Sequence, residues 1–171
     1  MDLESKCFST PFHWSSEVLI ITIVTVLVLV LACIHLELKK WPETVLWLKY
    51  TLMLVMLATI VIGIGHMPLR LKADEKTVSV KRAFGSIVIP QSQIVEIRQI
   101  AKSDITGSIR TFGSGGLFGY LGRFKSDRLG SYTMYATDMK HLILIRTNEK
   151  NYVFNCSRSN ELIEMVMKTK A

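Results

Sequence analysis

The sequence predicts an α+β chain: a two-helix transmembrane hairpin, then an antiparallel β-sheet or partial barrel that ends in an amphipathic helix. Three observations predict it. Residues 18–36 and 50–69 form two long apolar runs without Lys, Arg, Asp or Glu. Beyond them, Val78 and Val80 alternate with Ser79 and Lys81, the period of a half-buried strand. Near the end, Leu162, Ile163, Met165 and Val166 fall on one side of a helix, opposite Glu161, Glu164 and Lys168.

Each apolar run has about the 20 residues that a helix needs to cross a hydrocarbon core of roughly 30 Å. A cleaved secretory signal fits the first run poorly. Its flank carries Asp2, Glu4 and Glu17 against Lys6, and no small-x-small site follows at residues 34–37. Trp14, Trp41 and Trp47 all fall near the ends of the runs, where amphipathic rings favour the headgroup level. The link at residues 37–46 is short and contains Trp41-Pro42, which predicts a helix break before the proline. The division expected is a tail over residues 1–17, a hairpin over 18–69 with helices near 18–36 and 47–67, and a distal domain over 70–171.

Charge sets the expected orientation. Up to His66 there are four Lys and Arg against five Asp and Glu; from Met67 onward there are seventeen against nine. Arg70, Lys72, Lys76, Lys81 and Arg82 follow the second run, and positive loops stay in the cytoplasm. Lys39 and Lys40 in the link argue the other way, but the balance favours two cytoplasmic termini. A basic domain tethered beside an anionic leaflet gains about 1 kcal/mol per cation near the surface. The lipid bilayer is therefore the expected partner, and no nucleic-acid motif accompanies the charge. Cys7, Cys33 and Cys156 show neither disulfide nor metal spacing.

In the distal domain, residues 69–73 and 77–82 read as strands around Asp74-Glu75-Lys76. Residues 86–89 make a third strand, stopped by Pro90. Ile94, Ile97 and Ile100 recur every third residue, which predicts a helical turn before a strand within 91–100. Residues 132–137, 142–147 and 150–155 read as an antiparallel meander, and the amphipathic helix closes the open end of the sheet.

That order resembles the bacterial pleckstrin-homology-like (PH) domains, which are often attached to membrane helices. The residues that carry the resemblance are Gly113-Ser-Gly-Gly-Leu-Phe-Gly-Tyr-Leu-Gly-Arg-Phe124, Leu129-Gly-Ser-Tyr132, Tyr135-Ala-Thr-Asp138, Leu142-Ile-Leu-Ile-Arg-Thr147 and the Lys-x-Tyr-x-Phe pattern ending at Phe154. The likeness covers residues 69–169, and it departs at the helix entry, where residues 155–160 lack proline. It implies a binding or scaffolding module without catalytic activity.

The glycine segment is the most unusual chemistry in the chain. Loop glycines Gly113, Gly115, Gly116, Gly119 and Gly122 are interleaved with Phe118 and Tyr120, and Arg110, Arg123, Lys125 and Arg128 stand at the edges. The spacing matches neither a phosphate-cradling loop nor a dinucleotide fingerprint. Three readings stay open. The segment is a scaffold whose rings fold onto the sheet. Alternatively, it is a lipid contact with Phe118 and Tyr120 as exposed anchors and the cations on phosphates. The third is a contact for a protein partner.

Constellations for catalysis are absent. His13, His35, His66 and His141 share no ligand spacing with Cys, Asp or Glu, and no nucleophile elbow occurs. Neither run carries a mid-membrane charge of the kind that marks ion pathways. Thr59 and Gly63 form one small-xxx-small step, a signal for close helix packing. The expectation is a non-catalytic module without cofactor or metal, multi-pass in a cell inner membrane, that contacts a membrane protein partner or anionic lipid headgroups. An accessory subunit acting through its hairpin is the second reading, and an unrecognised enzyme the third. Homo-oligomer formation stays open.

Overall fold

Charge-free apolar runs form the two long helices. A computed structural model describes residues 8–170. Helix α1 spans Ser16–Leu38 and α2 spans Leu46–His66, both long and apolar enough to cross a membrane. The N-cap Ser15 accepts from the Val18 amide, and a short 3-10 turn at Glu43–Val45 follows Pro42. At the link end, Lys49 is buried and its Nζ reaches Glu37 Oε2 at 2.9 Å, which ties the start of α2 to the end of α1.

The residues before α1 depart from the expectation of a tail. Phe8–Pro11 is strand β1, antiparallel to β2 (Pro68–Ala73). Four residues ending in proline are too few for the alternation to show, yet Phe8 and Thr10 are buried. Because β1 precedes the hairpin and β2 follows it, one sheet joins the segments on either side of the helices. Strands β3 (Thr77–Arg82) and β4 (Ser86–Pro90) complete it in the order β1-β2-β3-β4. Asp2, Glu4, Lys6 and Cys7 lie outside the described residues.

A 3-10 turn at Gln91–Gln93 leads into β5 (Ile94–Ile100). The three-residue recurrence of isoleucine has a strand origin: a register shift between Ile94 and Glu96 keeps Ile94 and Ile97 on one face and sends Ile100 to the other. After the short helix α3 (Lys102–Ile105) come β6 (Ile109–Gly116), β7 (Gly119–Ser126), β8 (Gly130–Ala136), β9 (Leu142–Thr147) and β10 (Asn151–Asn155). The second sheet has six strands in the order β5-β9-β10-β8-β7-β6.

The expected meander is corrected here. β10 inserts between β8 and β9 and runs parallel to β8. The chain leaves the sheet after Ala136 and is pinned on the way: the Thr137 amide donates to Asn155 Oδ1 at 2.9 Å, and the Cys156 amide to the His141 carbonyl at 3.0 Å. The same crossing fastens the domain to the start of α1. The Ser15 amide donates to the Thr137 carbonyl, and Thr137 Oγ1 and Asn155 Nδ2 both donate to the His13 carbonyl.

Helix α4 (Ser159–Lys170) packs Leu162 and Val166 into the larger core, with Phe8, Leu71, Val78, Ile97, Ile145 and Phe154. A second core on the opposite face of the six-stranded sheet contains Ile105, Leu129, Met134, Leu144 and Val153. Burial on both faces explains why β9 reads as continuous Leu-Ile-Leu-Ile rather than as an alternation. The two sheets do not merge into a closed barrel.

Candidate functional site

The glycine-rich segment is a β-hairpin. β6 and β7 pair from Ile109↔Lys125 to Gly116↔Gly119, so Gly113, Gly115, Gly116, Gly119 and Gly122 are ladder residues and not loop residues. The sequence hid this because a glycine shows no face to an alternation pattern. Gly113 and Gly122 stand opposite each other, with φ of 112° and 117°. A Cβ at Gly113 would lie 2.0 Å from the Leu121 carbonyl oxygen, and one at Gly122 would lie 2.2 Å from that of Phe112. Close backbone approach, not a ligand, accounts for this pair.

At the hairpin tip, Phe118 is not the exposed anchor that the lipid-contact reading, one of the three, requires. It is 5% exposed, and its ring covers Gly63 of α2. The Phe118 amide donates to Thr22 Oγ1 of α1 at 2.9 Å. Its φ of 58° is a left-handed value that costs a non-glycine residue of order 1–3 kcal/mol, which the docking contacts must offset. Gly63 therefore seats a phenyl ring instead of the partner helix that the Thr59–Gly63 spacing suggested. Tyr120 is half-buried against the second core. Burial, with smaller contributions from Glu17 and Asp138, raises its hydroxyl pKa.

Of the four cations at the edges of this segment, the fold keeps only Arg123 and Lys125 together. Arg128 pairs with Asp104 at 3.3 Å. Arg110 leans along its own strand toward Gly115. Arg123 and Lys125 are exposed on one face of β7, two residues apart, and form no ion pair among the described residues.

Arg123 lines a cleft of about 540 Å³. The cleft is lined mainly by the six-stranded sheet. Thr133, Tyr135 and Tyr152 line it together with Ile87 of β4, and Ser131, Glu149 and Lys150 are among the residues at its border. Tyr135 and Tyr152 flank Phe154 as a stacked aromatic row, with ring centroids 6.3 and 6.0 Å from the phenyl ring. Burial raises the Tyr152 hydroxyl pKa, with Tyr135 and Glu149 adding to it. The Arg82 guanidinium sits 5.9 Å above the Tyr135 ring, and Arg82 Nε is buried with no hydrogen-bond partner among the described residues. Arg82 itself does not line the cleft; it holds one of the lining rings by this cation–π contact.

The sequence offers Arg82, Thr133, Tyr135, Lys150 and Tyr152 no role as site residues. A signal was present for part of the set. Ser131, Thr133 and Tyr135 alternate with Tyr132, Met134 and Ala136, so one face of β8 is more polar than a core face. Arg82 carried no such signal, because only the approach of two sheets brings it over Tyr135. Among the described residues no group of His, Cys, Asp and Glu has the arrangement to hold a metal ion.

Comparison with curated proteins finds no matching relative. A family model described as "Bacterial PH domain" matches residues 69–169, the two sheets without β1 together with most of α4. On that match, and on the two-sheet architecture with its closing helix, this chain belongs to the bacterial PH domain family.

Proposed function

We propose that the chain is a membrane-anchored, non-catalytic binding module whose cleft takes anionic lipid headgroups. The single observation that carries this reading is the docking of Phe118 on Gly63, because it supports a cleft close in height to the helix end. Gly63 lies three residues before the α2 end at His66, about 5 Å along the helix. Arg123 lies four residues beyond Gly119 on β7, at most about 13 Å further along the strand. Along the membrane normal, Arg123 thus rises at most about 8 Å beyond the helix end. The polar zone on each side of a bilayer is roughly 5–8 Å deep. Arg123 and Lys150 supply charge, and Thr133, Tyr135 and Tyr152 supply hydroxyl donors.

The basic excess after α2 supports a cytoplasmic domain in a cell inner membrane, with both termini on that side. In intact cells, a cysteine at Glu43 should label from outside, and one at Lys150 only after permeabilisation. Labelling of the Lys150 site in intact cells would reverse the orientation.

Headgroup binding is tested on the full chain in mild detergent, titrated with anionic and zwitterionic phospholipids. Anionic lipid should raise the thermal midpoint more, and salt should reduce the difference, since surface charge is screened over about 8–10 Å at physiological ionic strength. The Arg123→Gln/Lys150→Gln variant should lose the preference. Equal stabilisation by both lipids, or a preference untouched in that variant, would leave the cleft to a protein partner.

A further inference from the structure

We infer that the distal domain is itself partly embedded in lipid: the tips of two β-hairpins, at Leu117–Phe118 and at Phe84, enter the hydrocarbon of the leaflet beside the helices. The inference rests on the membrane-anchored reading and is independent of what occupies the cleft.

Depth is the first observation. Thr22, which accepts from the Phe118 amide, lies six residues into α1, about 9 Å along its axis from Ser16. Gly63, beneath the Phe118 ring, lies about 5 Å inside the other helix end. Both contacts place the β6–β7 tip below the ends of the spans. The tip between β3 and β4 reaches less deep. The Phe84 ring covers Gly65, and its amide donates to the Gly65 carbonyl at 2.9 Å, one residue before the α2 end.

A second and independent observation is the treatment of backbone polar groups. Hydrocarbon offers no hydrogen bonds, so backbone exposed to it must be satisfied by protein. At the deeper tip, the Leu117 carbonyl accepts from Ser114 Oγ at 2.6 Å, and the Phe118 amide is taken by Thr22. Gly116 and Gly119 close the ladder beside them. At the shallower tip, the Arg82 amide donates to the Gly85 carbonyl at 3.0 Å. A turn in water has no need of a hydroxyl from a membrane helix.

The apolar surface completes the case. Phe84 is 61% exposed and Leu117 is half-buried. Around the tips, Ile21, Ile64 and Leu69 also present exposed apolar surface. This collar is continuous with the uncovered apolar surface of α1 and α2, so the occupant that covers the helices also covers the tips. The occupant is acyl chain.

The test uses the full chain in phospholipid vesicles, with Trp14, Trp41 and Trp47 changed to Phe. Single tryptophans are then placed by Leu117→Trp, Phe84→Trp, Ile109→Trp and Leu27→Trp. Phospholipids brominated at stepped acyl positions report depth. Position 117 should be quenched severalfold more by acyl-brominated lipid than position 109, and at greater depth than position 84. Aqueous iodide should quench position 109 alone. Nitroxide labels on Leu117→Cys and Phe84→Cys, read by oxygen against nickel-chelate accessibility, give the same comparison without a bulky indole. Quenching at 27 with none at 117 or 84 would overturn the embedded tips alone. Absence of quenching at 27 as well would overturn the membrane anchor with them.

Discussion

The ring of Phe118 occupies the space that any side chain at position 63 would need: an ideal Cβ on Gly63 would lie 2.1 Å from Phe118 Cε2. Two residues on, Phe84 uses Gly65 in the same way, with Cδ2 2.2 Å from the ideal Cβ position. A helical glycine costs about 1 kcal/mol relative to alanine. At the end of α2 the cost is met twice, and each glycine provides a seat for one hairpin tip. The sheets therefore hold the helices by knobs as well as by the covalent link at Met67.

The first prediction follows from that seat. Gly63→Leu should lower stability by about 1–3 kcal/mol, the usual range for overpacking, because the Phe118 ring must leave its place. Gly63→Ala and Phe118→Ala should be non-additive by about 0.5–3 kcal/mol in a double-mutant cycle on the full chain in detergent. Strict additivity would mean that the two residues do not bear on each other.

A second prediction concerns the closing helix. Leu162 is fully buried in the larger core, and Leu162→Ala should cost about 2–5 kcal/mol. Val166→Ala removes fewer buried atoms and should cost less. Met167, 57% exposed on the same helix, should tolerate alanine almost without change. Equal unfolding midpoints for the Leu162→Ala and Met167→Ala variants would show that α4 is not part of the core.

A third prediction is a pH dependence at the β2–β3 turn. The Lys76 and Thr77 amides donate to Asp74 Oδ1 at 3.0 and 2.8 Å. These two bonds hold the Asp74 carboxyl below its ordinary pKa. A depressed pKa in the folded state stabilises the fold above the unfolded value, about 3.9, and that contribution disappears as pH falls through the folded value. The stability gap between the natural chain and Asp74→Ala should thus be present at pH 7 and shrink at pH 3. The group is exposed, so the gap is small. A gap unchanged between the two pH values would refute the assignment.

The sequence alone settled what depends on composition and on local period. Two apolar runs without charge become helices wherever their backbone must be satisfied internally, and a proline between them sets the turn. Strands β2, β3 and β4 and helix α4 were legible because one face of each is apolar at its own period. Tertiary structure decided the rest, for reasons that leave no mark in a local window. β1 is too short to show a pattern, and its pairing with β2 spans the whole helical hairpin. β10 enters between β8 and β9 because of bonds at Thr137 and Cys156, which lie far apart in sequence from their partners Asn155 and His141. Glycines 113–122 read as a loop because they lack the side chains that reveal a strand. The cleft needed two sheets, because only their approach brings Ile87 of β4 beside Tyr135 and Tyr152. Phe118 was open between a free anchor and a packed ring until the fold brought it onto Gly63, and the contacts at Thr22, Gly63 and Gly65 hold the hairpin tips to the two helices.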